Sequence, residues 1–177
     1  ARPFGSDENQ YLEDFNWLNH SINPTEIEDD DFRIEVGEGD KKYRMSILNI
    51  SGTSFGSISP KAIQAFSAGA KKGGFAHNTG EGSLSKYHLA GGGDTIWQIS
   101  TGYFGCRTKD GGFDASLFAE KAQTSQVKMI EIKLSQGAKP GHGGMLLGAK
   151  VSPEIAETRN VEPYKDVISP HKHSEFS

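Results

Sequence analysis

The sequence predicts an α/β fold on a parallel sheet, either open and doubly wound or closed into a barrel. Three observations carry that prediction. Short apolar runs alternate with amphipathic stretches that open on Ser-Pro or Asp. The clearest of these runs lacks the regular polar face of an exposed strand, and the runs are followed closely by glycine-rich loops.

Residues 1–44 stand apart, with irregularly spaced aromatics (Phe4, Tyr11, Phe15, Trp17) and an acidic stretch over 26–31. They are read as an irregular N-terminal extension to a domain over 45–177. Residues 45–50 are largely apolar and close on Ser51-Gly52, as a strand buried on both faces would. Ser59-Pro60 has N-cap and N1 chemistry, and Ala62, Ile63, Ala65, Phe66, Gly69 and Ala70 carry a helix to Lys72, where Gly73-Gly74 stops it. Residues 75–78 and 95–100 read as second and third strands. Asp114 caps a helix over 115–123, and residues 127–134 form the clearest strand. Ser152-Pro153 opens a helix through Arg159, and residues 166–169 read as one more strand.

Composition narrows the function. At 177 residues the chain has room for one ordinary domain or part of a larger one. The net charge of −4 and the lack of a basic run interleaved with aromatics argue against a nucleic-acid groove. The single cysteine, Cys106, excludes an internal disulfide, cannot alone hold a zinc ion or an iron–sulfur cluster, and is read as a small buried residue in a reducing cytoplasm. No apolar run approaches the roughly 20 residues of a membrane span, and the N-terminus lacks a signal-peptide core. The chain opens on Ala1 rather than Met and breaks off in mid-pattern at Ser177, so a longer protein is expected.

In either α/β architecture ligands bind beyond the C-terminal ends of the strands, so the loops there bear the chemistry. The glycines are grouped in and around them, as backbone brought close to a ligand requires. No Gly-x-Gly-x-x-Gly, phosphate loop or Gly-x-Ser-x-Gly elbow is present. His142, His171 and His173 match no metal-ligand spacing, and no metal is assigned.

Three loops read Asn78-Thr79-Gly80-Glu81-Gly82, Gln98-Ile99-Ser100-Thr101-Gly102-Tyr103-Phe104-Gly105, and Ile132-Lys133-Leu134-Ser135-Gln136-Gly137-Ala138-Lys139-Pro140-Gly141-His142-Gly143-Gly144. In this order they resemble the synthase domain of FMN-binding glutamate synthases, above all the shorter archaeal and bacterial forms, over about residues 3–177. The resemblance implies the first half of a (β/α)8 TIM barrel holding FMN, which reduces 2-iminoglutarate made from 2-oxoglutarate and ammonia. It places Glu81 and Lys139 in catalysis, Glu81 on the imino nitrogen or as a proton shuttle if burial raises its pKa, and Lys139 on a substrate carboxylate. Lys133 would offset negative charge at the flavin N1 and O2 edge, with Ser54, Gln98 and Gln136 as further cofactor contacts.

The chain departs from the family pattern at Ser83, where Gly is common, at Leu146-Leu147 in place of Leu-Pro, and at Thr53, where Met is common. The family's cluster cysteines and N-terminal nucleophile lie outside the matched region, so an iron–sulfur cluster is expected only from sequence elsewhere. The electron donor stays open between an NAD(P)H-fed subunit and ferredoxin. Two other readings stand beside this one: a different FMN barrel of the 2-hydroxy acid oxidase type, and a non-catalytic fragment or binding module. Because family barrels grip the FMN phosphate after strands 7 and 8, the 177 residues alone are expected to bind FMN poorly, and open sheet edges favour homo-oligomer formation.

Overall fold

The computed structural model describes residues 21–24, 26, 32–136 and 143–173. The chain divides into two compact units, residues 1–31 and 32–177. In the first, the Asn23 amide donates to Ser21 Oγ at 3.2 Å.

The second unit opens with a hairpin in which β1 (Arg33–Val36) pairs antiparallel with β2 (Tyr43–Ser46). The strand expected over 45–50 is therefore corrected. Its first two residues belong to β2, and Ile47 N–H still bonds Phe32 O at 3.0 Å. Only Ile50 reaches the parallel sheet, as a bridge to His77. Asn49 makes the break, because its amide donates to Ser46 O and accepts from Ala76 N–H, taking the place of a backbone ladder.

Helix α1 (Pro60–Gly73) follows its local signals. Ser59 Oγ accepts from Ala62 N–H, Pro60 fills the first turn, and Ile63, Ser67 and Ala70 form the buried stripe at helical spacing. Gly74 ends the helix at φ 65°, in the left-handed region open to glycine. The parallel sheet then runs β3 (Ala76–Asn78), β4 (Asp94–Ile99) and β5 (Val127–Ile132), in that spatial order. A short helix, α2 (Lys86–Ala90), precedes β4 and was not legible in the sequence. Asp114 caps α3 (Ala115–Ala122), its carboxylate accepting from Ser116 and Leu117 N–H.

Strand β4 is the centre of the sheet. Trp97 and Ile99 are buried against Leu117 and Phe118 of α3, with Leu84, Tyr103 and Cys106 completing that cluster. A second cluster gathers Phe55, Ile63, Phe104, Val151, Ile155 and Val167.

The last expected strand does form, over 167–169, but its partner differs. β7 (Val167–Ser169) joins no parallel sheet; it pairs antiparallel with β6 (Gly144–Leu146), with α4 (Pro153–Arg159) between them in the chain. Ser152 caps α4 on Ile155 N–H, and Asn160 closes it in the left-handed region. Alternation turns Leu146 and Val167 inward while their neighbours Met145 and Ile168 stay exposed. No described helix is long and apolar enough to cross a membrane.

Candidate functional site

The loop after β3, the loop after β4 and the end of β5 meet above the sheet. At their junction Glu81 Oε2 accepts three hydrogen bonds: from Gln136 Nε2 at 2.8 Å, Lys133 Nζ at 3.0 Å and Ser100 Oγ at 3.2 Å. Lys133 Nζ also donates to Gln136 Oε1 at 3.2 Å. Burial works against a charge on Glu81, but the hydrogen bonds from Gln136 and Lys133 and the nearby ammonium outweigh it, so the carboxyl is held below the usual range. One carboxylate oxygen is thus saturated. The other, Oε1, has no hydrogen bond among the described residues and lies 3.1 Å from where a Cβ on Gly144 would stand.

Glu81, Lys133 and Gln136 line a cleft of about 240 Å³ together with Ser54, Phe104, Ser169 and Arg159. Arg159, the last residue of α4, is buried. Its Nη2 donates to Phe55 O at 2.9 Å, its guanidinium stacks over the Phe104 ring at 5.1 Å, and its Nε has no partner among the described residues. Burial works against its charge while the Glu81 carboxylate supports it. Two cations, Lys133 paired with Glu81 and the buried Arg159, thus share the cleft with one carboxylate, an arrangement with room for a further anion. The backbone of Lys133 is held as well, its carbonyl accepting from His173 Nε2 at 2.7 Å. Among the described residues no group of three or more His, Cys, Asp or Glu is placed to hold a metal ion.

A family model described as the conserved region in glutamate synthase matches residues 10–177. The chain belongs to the glutamate synthase family. It is 47% identical over 136 residues to the glutamate synthase large subunit-like protein YerD of Bacillus subtilis, which is 76% of this chain and 26% of that protein. It is 35% identical over 129 residues to the archaeal glutamate synthase [NADPH] of Methanocaldococcus jannaschii, 73% of this chain and 23% of that protein. Against the archaeal-type glutamate synthase [NADPH] of Thermotoga maritima the identity is 37% over 123 residues, 70% of this chain and 22% of that protein. The chain therefore spans about a quarter of the length of the curated relatives it matches.

Within this glutamate synthase segment, four of the six residues singled out from sequence come together: Ser54, Glu81, Lys133 and Gln136 line one cleft. Gln98 does not join them. Its register partner is Glu131 and its side-chain amide donates to that carboxylate, a layer below the strand ends. Lys139 lies outside the described residues. Arg159 escaped the sequence reading, because a cation in the last turn of a helix is ordinary dipole chemistry and nothing local says that it turns inward.

Ser83 is fully buried at φ 74°, a backbone conformation that glycine adopts most readily, and Lys121 Nζ donates to its hydroxyl at 3.2 Å. Thr53 is held by two buried histidines. His77 Nε2 lies 2.5 Å from Thr53 Oγ1, and His88 Nε2 lies 3.0 Å from Thr53 O.

Burial, helped by the neighbouring His88, pushes the His77 pKa down to about 4, and burial lowers His88 as well. Both rings are therefore neutral in the folded state at neutral pH. Between the usual histidine value and about pH 4 the unfolded chain binds more protons than the folded one, so stability is complete above about pH 6.5 and falls as the pH drops through that window. His77 alone accounts for about 3 kcal/mol at most. Urea midpoints measured from pH 7 to pH 4 should decline steadily, and a flat profile would contradict the neutral buried pair.

Proposed function

We propose that this segment forms one wall of the flavin and substrate site of a glutamate synthase, built as the first half of a (β/α)8 barrel. The observation that carries the reading is Glu81, an ionised carboxylate with one oxygen saturated and the other facing a cleft that also holds Lys133 and Arg159. When bound, FMN would supply the hydride that converts 2-iminoglutarate, formed from 2-oxoglutarate and ammonia, into glutamate.

The residues present suit the polar edge of the flavin ring and a small dicarboxylate. The cleft, about 240 Å³, lies below the roughly 300–1,000 Å³ of sites that enclose a drug-sized ligand. Lys133 holds a fixed positive charge at the strand end, against the negative charge a reduced flavin carries at N1 and O2. Ser54 and Gln136 offer hydrogen bonds to the ring edge. Arg159 holds a substrate carboxylate from the far wall, and Lys139 supplies a second cation to the dicarboxylate.

Since the Glu81 pKa is lowered rather than raised, its role is to accept an N–H from the ammonia-derived nitrogen and orient it, not to donate a proton at neutral pH. Gln98, engaged with Glu131, is given no ring contact. Two of the three relatives named above carry NADPH in their names, which favours NADPH as the electron source.

The test uses the full-length protein that contains this segment. It should copurify with flavin, and the anaerobically reduced flavin should be reoxidised by 2-oxoglutarate and ammonium together, with glutamate as product. Lys133→Met should impair flavin reduction more than 2-oxoglutarate binding, because the charge it offsets appears on reduction. A protein without flavin, or one whose reduced flavin ignores 2-oxoglutarate, would overturn the proposal.

A further inference from the structure

We infer that His77 and His88 are paired positioning residues that set the Ser54 hydroxyl, and through it the loop bearing Glu81, by gripping Thr53 from two sides. The functional consequence rests on the glutamate synthase reading of the cleft. Every polar group of Thr53 is engaged: its N–H donates to Asn78 O at 3.2 Å, its carbonyl meets His88 Nε2, and its hydroxyl meets His77 Nε2. A carbonyl only accepts, so His88 Nε2 carries the proton. Its Nδ1 is then the acceptor that Ser85 requires, taking the Ser85 N–H at 3.1 Å with Ser85 Oγ at 2.8 Å. The His88 tautomer is thereby fixed from both ends of the ring.

The grip passes to the cleft through two more bonds. Ser54, next in the chain, accepts Gly82 N–H on its Oγ at 3.2 Å, and Gly82 directly follows Glu81. On its other side Phe55 O is held by Arg159 Nη2 at 2.9 Å. Ser54 therefore sits between two carbonyls clamped by buried side chains, one from α2 and one from α4.

A pair of ordinary core histidines would not need this arrangement. The rings are 1% and 0% exposed with centroids 5.2 Å apart, both address one residue, and His77 Nδ1 is left without a partner among the described residues. An apolar residue at 77 would avoid that loss, so the retained imidazole is explained by what its Nε2 holds. The other groups packed on the pair are the Phe66 ring, 5.7 Å from His77, and Ser67, whose hydroxyl donates to His88 O at 2.6 Å.

The experiment compares Thr53→Val, His77→Phe, the double variant and His77→Gln in the full-length protein. It reads hydrogen exchange at the Gly82 amide and the dissociation constants for FMN and 2-oxoglutarate. Thr53→Val keeps the carbonyl and removes only the hydroxyl, while Gln at 77 keeps an N–H near the Nε2 position. Thr53→Val and His77→Phe should each speed Gly82 exchange and weaken 2-oxoglutarate binding by roughly tenfold, the double variant should do no more, and His77→Gln should restore both.

Exchange at Ile96, in the middle of β4, should stay as in the wild type. Gly82 exchange that changes no more than Ile96 exchange, or additive effects in the double variant, would overturn the inference. Should the wild-type protein bind neither FMN nor 2-oxoglutarate, the functional reading fails while Gly82 exchange still decides the positioning role.

Discussion

Replacing Glu81 by glutamine in the full-length protein is expected to lower kcat by about 10²–10⁴-fold while leaving KM for 2-oxoglutarate unchanged or lower. The split follows from charge. Glu81 is the one carboxylate among the described residues lining the cleft, facing Lys133 and Arg159. Its removal makes the cleft more positive, which favours a dicarboxylate ground state, but withdraws the acceptor that orients the reacting nitrogen. Glutamine preserves the shape and still accepts hydrogen bonds from Lys133 and Ser100, so a change in stability of only about 1 kcal/mol is expected. Steady-state kinetics decide the matter. A kcat within about threefold of wild type would take Glu81 out of the chemistry.

Gly80→Ala should be among the most damaging single substitutions in the segment, costing about 2–4 kcal/mol. Gly80 has φ 64°, and a Cβ there would stand 2.6 Å from Ser54 Oγ, 2.9 Å from Ser54 N and 3.1 Å from Thr53 N. The left-handed backbone alone accounts for about 1–2 kcal/mol with any Cβ present. The remainder comes from forcing apart two backbone segments that meet beneath the cleft. Gly39→Ala is the matched control, with φ 56° and nothing within 4 Å of the added carbon, so it should carry only the conformational part. Urea unfolding of both variants gives the comparison. Equal losses would show that the close approach of residues 53–54 to Gly80 contributes nothing.

The sequence determined whatever depends on neighbours a few residues away. Ser59-Pro60, Asp114 and Ser152-Pro153 open helices because a side-chain oxygen two or three residues upstream satisfies amides the helix leaves free, and Gly74 closes one because glycine adopts the left-handed turn without strain. The runs around 76–78, 94–99 and 127–132 were legible as strands, although β5 leaves Ile130 and Ile132 exposed, and their order with the loops placed Glu81, Lys133 and Gln136 at one end of a sheet.

Pairing partners remained for the tertiary structure to decide, since hydrogen-bond register between distant segments leaves little local trace. It took Met45 and Ser46 of the strand expected over 45–50 into an antiparallel hairpin, gave β7 to β6, and engaged Gln98 with Glu131. It also lowered the pKa of Glu81 where burial alone would have raised it, because three donors from the segments after β4 and β5 converge on one oxygen. Arg159 and the two histidines on Thr53 belong to the same class. Each looks ordinary in its own segment and acquires a role through a contact that only folding creates.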